Sequence, residues 1–289
     1  MALEFQHSTK NPRYPVTYLS FYAMHTRVEV VAVGLDECAG RGLAQDVEAE
    51  VKRLERCFNR FDNRSPLAVM NARAAAEDVA VDDDMFMALE LCEAFRRGTA
   101  GYFNIATNTT VGGQVSYSLN ADNHTVRYTS SGISLDMGGF AKGFALERVR
   151  RMVVEAGAES ALINFGNSSV AAISHHPYGE WWGVGVEHTR VQGVMAHDVH
   201  LCDNAMSVSG RTPRGEYHIV NPRTGGTVAG EELILVEGRS ALVAEVLSTA
   251  LYAAPRSERE EIMRAYDGYR ARELYCREGG STEVRNILE

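Results

Sequence analysis

A chain of 289 residues with 45% hydrophobic and 23% charged residues has the composition of a globular protein, long enough to bury one large core or two modest ones. Its formal net charge of −9 argues against long-range attraction to nucleic acid or to an anionic membrane. The five cysteines (Cys38, Cys57, Cys92, Cys202 and Cys276) are odd in number, widely spaced and free of any C-x-x-C pair, against a disulfide framework or a zinc site, and no run approaches the roughly 18 apolar residues of a membrane span.

The opening segment, "MALEFQHSTKNPRYPVTYLSFYAMHT", shows no apolar signal core, so a cytoplasmic chain is the expectation. "RVEVVAVG" (Arg27–Gly34) alternates as a half-buried strand does. Leu43–Phe61 has helical spacing, with Val47, Val51, Leu54 and Phe58 on one stripe. Asp83–Gly98 predicts a second helix, with acids at its start, arginines at its end and a glycine stop. "SYSLNADNHTVRYTSSGISLDM" reads as a hairpin turning at "NADN". A helix follows from about Phe140 to Glu155, then short strands "SALINFG" and "SSVAAIS", then the paired strands "EWWGVGVEH" and "VMAHDVHLC". Ala241–Ala254 is an apolar helix, "SEREEIMRAYDGY" an exposed one, and "RELYCRE" a last strand. Without regular βαβ alternation, the pattern predicts an α+β fold with mixed, largely antiparallel sheets and packed helices.

Three stretches could carry chemistry. "SLDMGGFAKGFALERV" (Ser134–Val149) puts Asp136, Gly138-Gly139 and Lys142-Gly143 at the mouth of a helix. Paired glycines permit close approach or positive φ, and a helix N-terminus suits phosphate. The plainer reading is a strand-to-helix turn with one solvated lysine. "YHIVNPRTGGTV" (Tyr217–Val228) places His218 before a turn stiffened by Pro222 and Gly225-Gly226; a lone histidine is more often structural. On the Ala241–Ala254 helix, Glu245, Ser248 and Thr249 share one face. They read equally as a buried Glu with back-bonded hydroxyls or as oxygen ligands for a hard cation such as Mg²⁺. "HDVH" is a poor metal pair, because i and i+3 on a strand face opposite sides; "HHP" reads as a turn; of Trp181 and Trp182, one belongs to the core and one to the surface. The glycines are no Rossmann fingerprint, since G-x-G-x-x-G is absent.

In order along the chain, "AMHTRVEV", "CFNRFDNRSPLAVMNA", "GYFNIA", the Ser134–Val149 stretch, "INFGNSS", "SVSG", "HIVNPRTGG" and "AEVLSTA" resemble the motifs of the ApbE family of FAD:protein FMN transferases. The resemblance runs from about Tyr22 to Ala254; each motif is modest, and the shared order is specific. It implies an ApbE-like, T-fold-related architecture forming one unit over residues 1–289, with the FAD site between two lobes. It also implies Mg²⁺-dependent transfer of FMN from FAD to a Thr or Ser hydroxyl of an acceptor, with AMP leaving. The acceptors in the family are flavin-bearing subunits of membrane redox complexes. Many family members are extracytoplasmic or periplasmic lipoproteins, so a removed signal is the alternative to a cytoplasmic location.

Carried onto this sequence, the resemblance gives Gly139, Glu245, Ser248 and Thr249 as metal-binding positions and His218 as the catalytic one. Flavin-site positions are Met24, Phe61, Tyr102, Phe103, Asn104, Asp136, Lys142 and Ile219. The chain departs from the pattern at His25 for glycine, Asn104 for an acid, Glu147 and Glu245 for the usual acids, and "GNS" after Phe165. These departures leave open a FAD pyrophosphatase giving FMN and AMP, and a flavin-binding protein without turnover.

Overall fold

The computed structural model describes residues 2–106, 117–210 and 219–288. In chain order its elements are strands β1 (Glu4–Ser8), β2 (Val16–Ala23) and β3 (Thr26–Val33), helices α1 (Glu37–Phe58) and α2 (Pro66–Arg73), strand β4 (Val79–Ala80) and helix α3 (Asp83–Gly98). Strands β5 (Tyr117–Asn120) and β6 (Thr125–Tyr128), helix α4 (Ala141–Glu155), and strands β7 (Ser160–Phe165), β8 (Ser169–Ile173), β9 (Trp182–Glu187) and β10 (Met195–Leu201) follow. Strands β11 (Ala205–Gly210) and β12 (Leu233–Gly238), helices α5 (Ala241–Ala253) and α6 (Arg256–Arg264), and strands β13 (Arg270–Cys276) and β14 (Thr282–Asn286) complete it.

Nine strands form one antiparallel sheet in the order β1-β2-β3-β7-β8-β11-β12-β13-β14; β9–β10 form a hairpin, and β4-β6-β5 a small third sheet. Both faces of the large sheet carry a buried core. Helices α1, α4 and α5 pack on one face and the β9–β10 hairpin covers part of the other. The period-2 alternation of a strand divides β12 accordingly: Ile234 and Val236 join the helix-side core, Leu233 and Leu235 the hairpin-side core. The α+β, largely antiparallel expectation holds.

Several boundaries differ from the sequence reading. Helix α1 begins at Glu37 rather than Leu43, because the Asp36 carboxylate accepts the Ala39 N–H as an N-cap, and it stops at Phe58, where Asn59 turns extended. Helix α6 is not exposed on every side: Arg259 is buried between Glu232 and Glu273, at 2.7 and 2.6 Å. Arg270–Cys276 is not the last strand, since β14 pairs with it. Trp182 is buried and Trp181 exposed, stacked on His200.

Register sets the position of the site. The β2–β3 turn (Ala23 opposite Thr26), the β7–β8 turn (Phe165 opposite Ser169), the end of β11 and the start of β12 (Gly210 opposite Leu233) all lie at one end of the large sheet. The first turn of α4 and the middle of α5 reach that end, where Lys142 donates to Ser168 and Ser169 donates to Glu245.

Candidate functional site

A cleft of about 910 Å³ opens at this end of the sheet. Its walls are the β2–β3 turn, the α1–α2 linker at Arg60, residues 102–105, the glycine turn before α4, the β7–β8 turn, the end of β9, the end of β11 and the α5 positions Glu245 and Thr249. Of the residues anticipated from sequence, Met24, Tyr102, Phe103, Asn104, Asp136, Gly139, Lys142, Ile219, Glu245 and Thr249 line it.

The glycine turn is held from below. Asn71 donates to the Leu135 carbonyl (3.0 Å) and accepts the Leu135 N–H (2.9 Å), mimicking a strand partner. The Asp136 N–H donates to the Ile105 carbonyl at 2.7 Å, and the Asp136 carboxylate accepts the Gly138 N–H at 2.8 Å. Neither Gly138 nor Gly139 has positive φ. What Gly139 supplies is proximity: a Cβ there would lie 3.2 Å from Thr249 Cγ2 and 3.5 Å from the Phe103 ring. Backbone, hydroxyl and aromatic edge therefore meet in one corner.

Glu245 forms the floor. Its side chain is almost wholly buried and is held by the Lys142 ammonium at 3.1 Å and by the hydroxyls of Ser207, at 3.1 Å, and Ser169. A buried carboxylate needs such partners, because unpaired burial of charge costs several kcal/mol, roughly. Lys142 also donates to Ser168 at 2.9 Å. Glu147, on the next turn of α4, accepts the Ala241 N–H at 2.6 Å and so caps α5, fixing the two helices' relative position. Ser248 lies behind this floor. Its hydroxyl is fully buried against Ser207 (3.1 Å) and Ser209 (2.8 Å), and Ser209 in turn sits 3.4 Å from Thr249 Oγ1.

The walls are tied in the same manner. The Tyr102 hydroxyl accepts from Arg223, whose guanidinium lies 4.0 Å from the ring centre and also pairs with Glu258 at 3.0 Å. Burial, and after it the Glu258 carboxylate, raises the Tyr102 pKa above the ordinary phenol value, so the hydroxyl stays protonated at neutral pH. Asn221 donates to the Ala253 carbonyl at 3.0 Å and anchors the Pro222–Gly226 turn to the end of α5. Asn104, where the family pattern has an acid, accepts the Ala106 N–H at 2.9 Å. His25, in place of the family glycine, takes φ +60° in the two-residue β2–β3 turn, beside Met24 at +51°. Such a turn is where glycine is favoured.

Two anticipated residues lie elsewhere, and one falls outside the described residues. Phe61 is 75% exposed and does not line the cleft; its ring lies 4.9 Å from the Arg60 guanidinium, which does. Ser248 does not line the cleft and is tied to it through the Ser209 hydroxyl and the Glu245 carbonyl. His218 lies outside the described residues, one position before Ile219. Sequence reasoning missed Arg60, 3.3 Å from Asp136, together with Ser168 and Ser209. The "SVSG" and "GNSS" motifs were the signal for the serines; Arg60 stood in the "FNRFD" motif without being singled out.

Fold and cleft together define an α+β protein with a cleft at one end of a large antiparallel sheet, floored by the buried Glu245 carboxylate. The chain belongs to the ApbE family, whose sequence model matches residues 24–116 and 111–272. It is similar to a FAD:protein FMN transferase of Rhodobacter capsulatus, 23% identical over 271 residues, 81% of this chain and 51% of that one. A second, of Treponema pallidum (strain Nichols), is 24% identical over 258 residues, 73% of this chain and 70% of the other. The chain thus spans about half the length of the first of these relatives. Among solved structures, the ApbE protein of Thermotoga maritima superposes with a TM-score of 0.79 at 22% identity, covering 93% of this chain and 96% of that one. The apo form of the Pseudomonas stutzeri flavinyl transferase ApbE gives 0.79 at 20% identity, covering 94% of each. Among the described residues, no helix is long and apolar enough to cross a membrane.

Proposed function

We propose that this chain is a Mg²⁺-dependent FAD:protein FMN transferase acting as a single unit, with FAD seated in the cleft. The observation that carries the reading is the meeting of the Asp136–Lys142 turn with Glu245 and Thr249 beneath walls supplied by Met24, Tyr102 and Phe103. The family membership supports it.

In the proposed reaction an acceptor Thr or Ser hydroxyl attacks the FMN-side phosphorus, the bond to the bridging oxygen breaks, and AMP leaves with that oxygen. The hydroxyl proton passes to a base, for which His218 is the candidate. The positive end of the α4 dipole would favour the phosphates at the glycine turn. Tyr102 and Phe103, tied down by Arg223 and by the Thr99 hydroxyl (3.0 Å to the Phe103 N–H), offer a stiff flank for the flavin ring.

For the metal, the donors fit a hard cation in type: the Glu245 carboxylate, the Thr249 hydroxyl and the Gly139 carbonyl are all oxygens. Gly139 and Thr249 are neighbours in the cleft, since a Cβ on Gly139 would lie 3.4 Å from the Thr249 hydroxyl. Among the described residues no group of three or more His, Cys, Asp or Glu side chains gathers as a metal cluster, so the set rests on one carboxylate, which the metal would share with Lys142. Ser248 would act behind it, through Ser209. Bound there, Mg²⁺ would neutralise charge developing on phosphate oxygens.

The acceptor we propose is a flavin-bearing subunit of a redox complex. Incubation with FAD, Mg²⁺ and such a subunit, following AMP release and covalent flavin on the acceptor, tests the reading. AMP release with no covalent flavin identifies a pyrophosphatase; neither product, with FAD bound, identifies a flavin-binding protein.

A further inference from the structure

The charges of the cleft wall raise a question that the flavin reading does not answer. Among its described lining residues are three carboxylates, Asp136, Glu187 and Glu245, and two Lys/Arg cations, Arg60 and Lys142. Both cations already face acids: Lys142 is 3.1 Å from Glu245, Arg60 is 3.3 Å from Asp136. A dinucleotide pyrophosphate brings about two further negative charges; Mg²⁺ at Glu245 would offset part of them, and a cation of the wall is the group left to meet the rest.

The two pairs differ in what separation would cost. The Glu245 side chain is 5% exposed, and before a metal binds, withdrawing Lys142 would leave a buried carboxylate facing hydroxyl donors. The Asp136 side chain is 33% exposed, keeps the Gly138 N–H as a donor and can be rehydrated. Arg60 is itself 31% exposed, and its guanidinium rests near the face of the Phe61 ring. A guanidinium presents paired N–H groups that match phosphate oxygens.

Resting on the flavin-dinucleotide reading of this cleft, we propose that Arg60 is a phosphate-recognition residue, turning from Asp136 to the pyrophosphate when the dinucleotide binds, while Lys142 stays with Glu245. Phe61 then serves as the platform that aims the guanidinium, which gives an exposed aromatic ring outside the cleft a role in it.

Fluorescence titration of FAD, ADP and riboflavin against the wild-type chain, Arg60→Gln and Arg60→Lys, each at two salt concentrations, tests this. Losing one charge-assisted phosphate contact is expected to weaken FAD and competing ADP by about 10–100-fold in Arg60→Gln and less in Arg60→Lys. Riboflavin affinity should stay within about twofold, because it has no phosphate, and the salt dependence of FAD binding should flatten. Retained riboflavin binding also shows that the variant is folded. Equal FAD affinity and salt dependence in wild type and Arg60→Gln would overturn the proposal while leaving the flavin reading intact. A folded wild-type chain that binds no FAD would overturn both. A parallel loss of riboflavin and FAD in both variants would make Arg60 a structural residue and overturn the proposal alone.

Discussion

Lys142 Nζ stands 3.1 Å from Glu245 Oε1, and this pair fastens the first turn of α4 to the middle of α5. Removing the lysine leaves a nearly buried carboxylate with only hydroxyl donors. Lys142→Met should destabilise the chain by about 1–3 kcal/mol, below the roughly 3–5 kcal/mol typical of a fully buried pair because the lysine is itself a quarter exposed. In a Glu245→Gln background the same substitution should cost less, since no charge is stranded. A double-mutant cycle from denaturant melts reads the difference; an additive cycle would show that the two charges do not couple.

Gly143 lies where α4 touches α5. A Cβ there would sit 2.8 Å from Glu245 Cβ and 2.9 Å from the Leu242 Cα. Alanine in a helix gains about 1 kcal/mol over glycine, yet overpacking costs about 1–3 kcal/mol and one atom met is backbone, which cannot rotate away. Gly143→Ala should therefore lower the melting temperature and weaken FAD binding together, by displacing Glu245. A higher melting temperature would mean that the helices part more easily than this packing implies.

Much of the site was legible from sequence because it is local. Asp136, Gly139 and Lys142 lie within one turn and helix start, and Glu245 and Thr249 are neighbours on one helix face. Arg60 was not legible: an arginine in a polar linker reads as solvated until the fold brings it opposite Asp136, 76 positions away by their numbers. The serines around Glu245 come from two strands, β8 and β11, and from α5, a grouping no single spacing encodes. In the fold, β12 escaped notice because it is buried on both faces and "LILVEG" lacks the alternation that marks a one-sided strand. The N-terminal hairpin partner β2 was passed over for β3. The large sheet was therefore anticipated in kind and not in extent.

His218 is expected to act on rate rather than binding. A general base contributes about 10²–10⁴-fold, so His218→Ala should slow transfer by that order while FAD affinity stays within about tenfold. Comparing single-turnover rate with FAD affinity separates the two. A folded variant that transfers at the wild-type rate would assign the base to another group.

His197, on β10, has its pKa pulled below the usual histidine value, first by burial and next by the Arg272 guanidinium. In the folded state the ring therefore stays neutral at pH values where the unfolded chain binds a proton. Below the unfolded value of about 6.5 the unfolded state holds more protons, so stability falls as pH drops from there towards the depressed folded value. His197→Gln should flatten this part of the stability profile below about pH 6.5. Melting temperatures of both proteins across that range check it; parallel profiles would show that the ring is protonated in the fold.

The cleft draws its walls from stretches scattered between Met24 and Thr249, gathered only because the turns of a nine-stranded sheet finish at one end. A ribosome-bound chain still lacking α5 has the glycine turn but neither Glu245 nor Thr249, and gains a usable floor only as the sheet closes. On the proposed reading, flavin bound in the finished cleft is linked to the whole molecule, and its binding free energy should appear in global unfolding rather than in the fraying of any one segment.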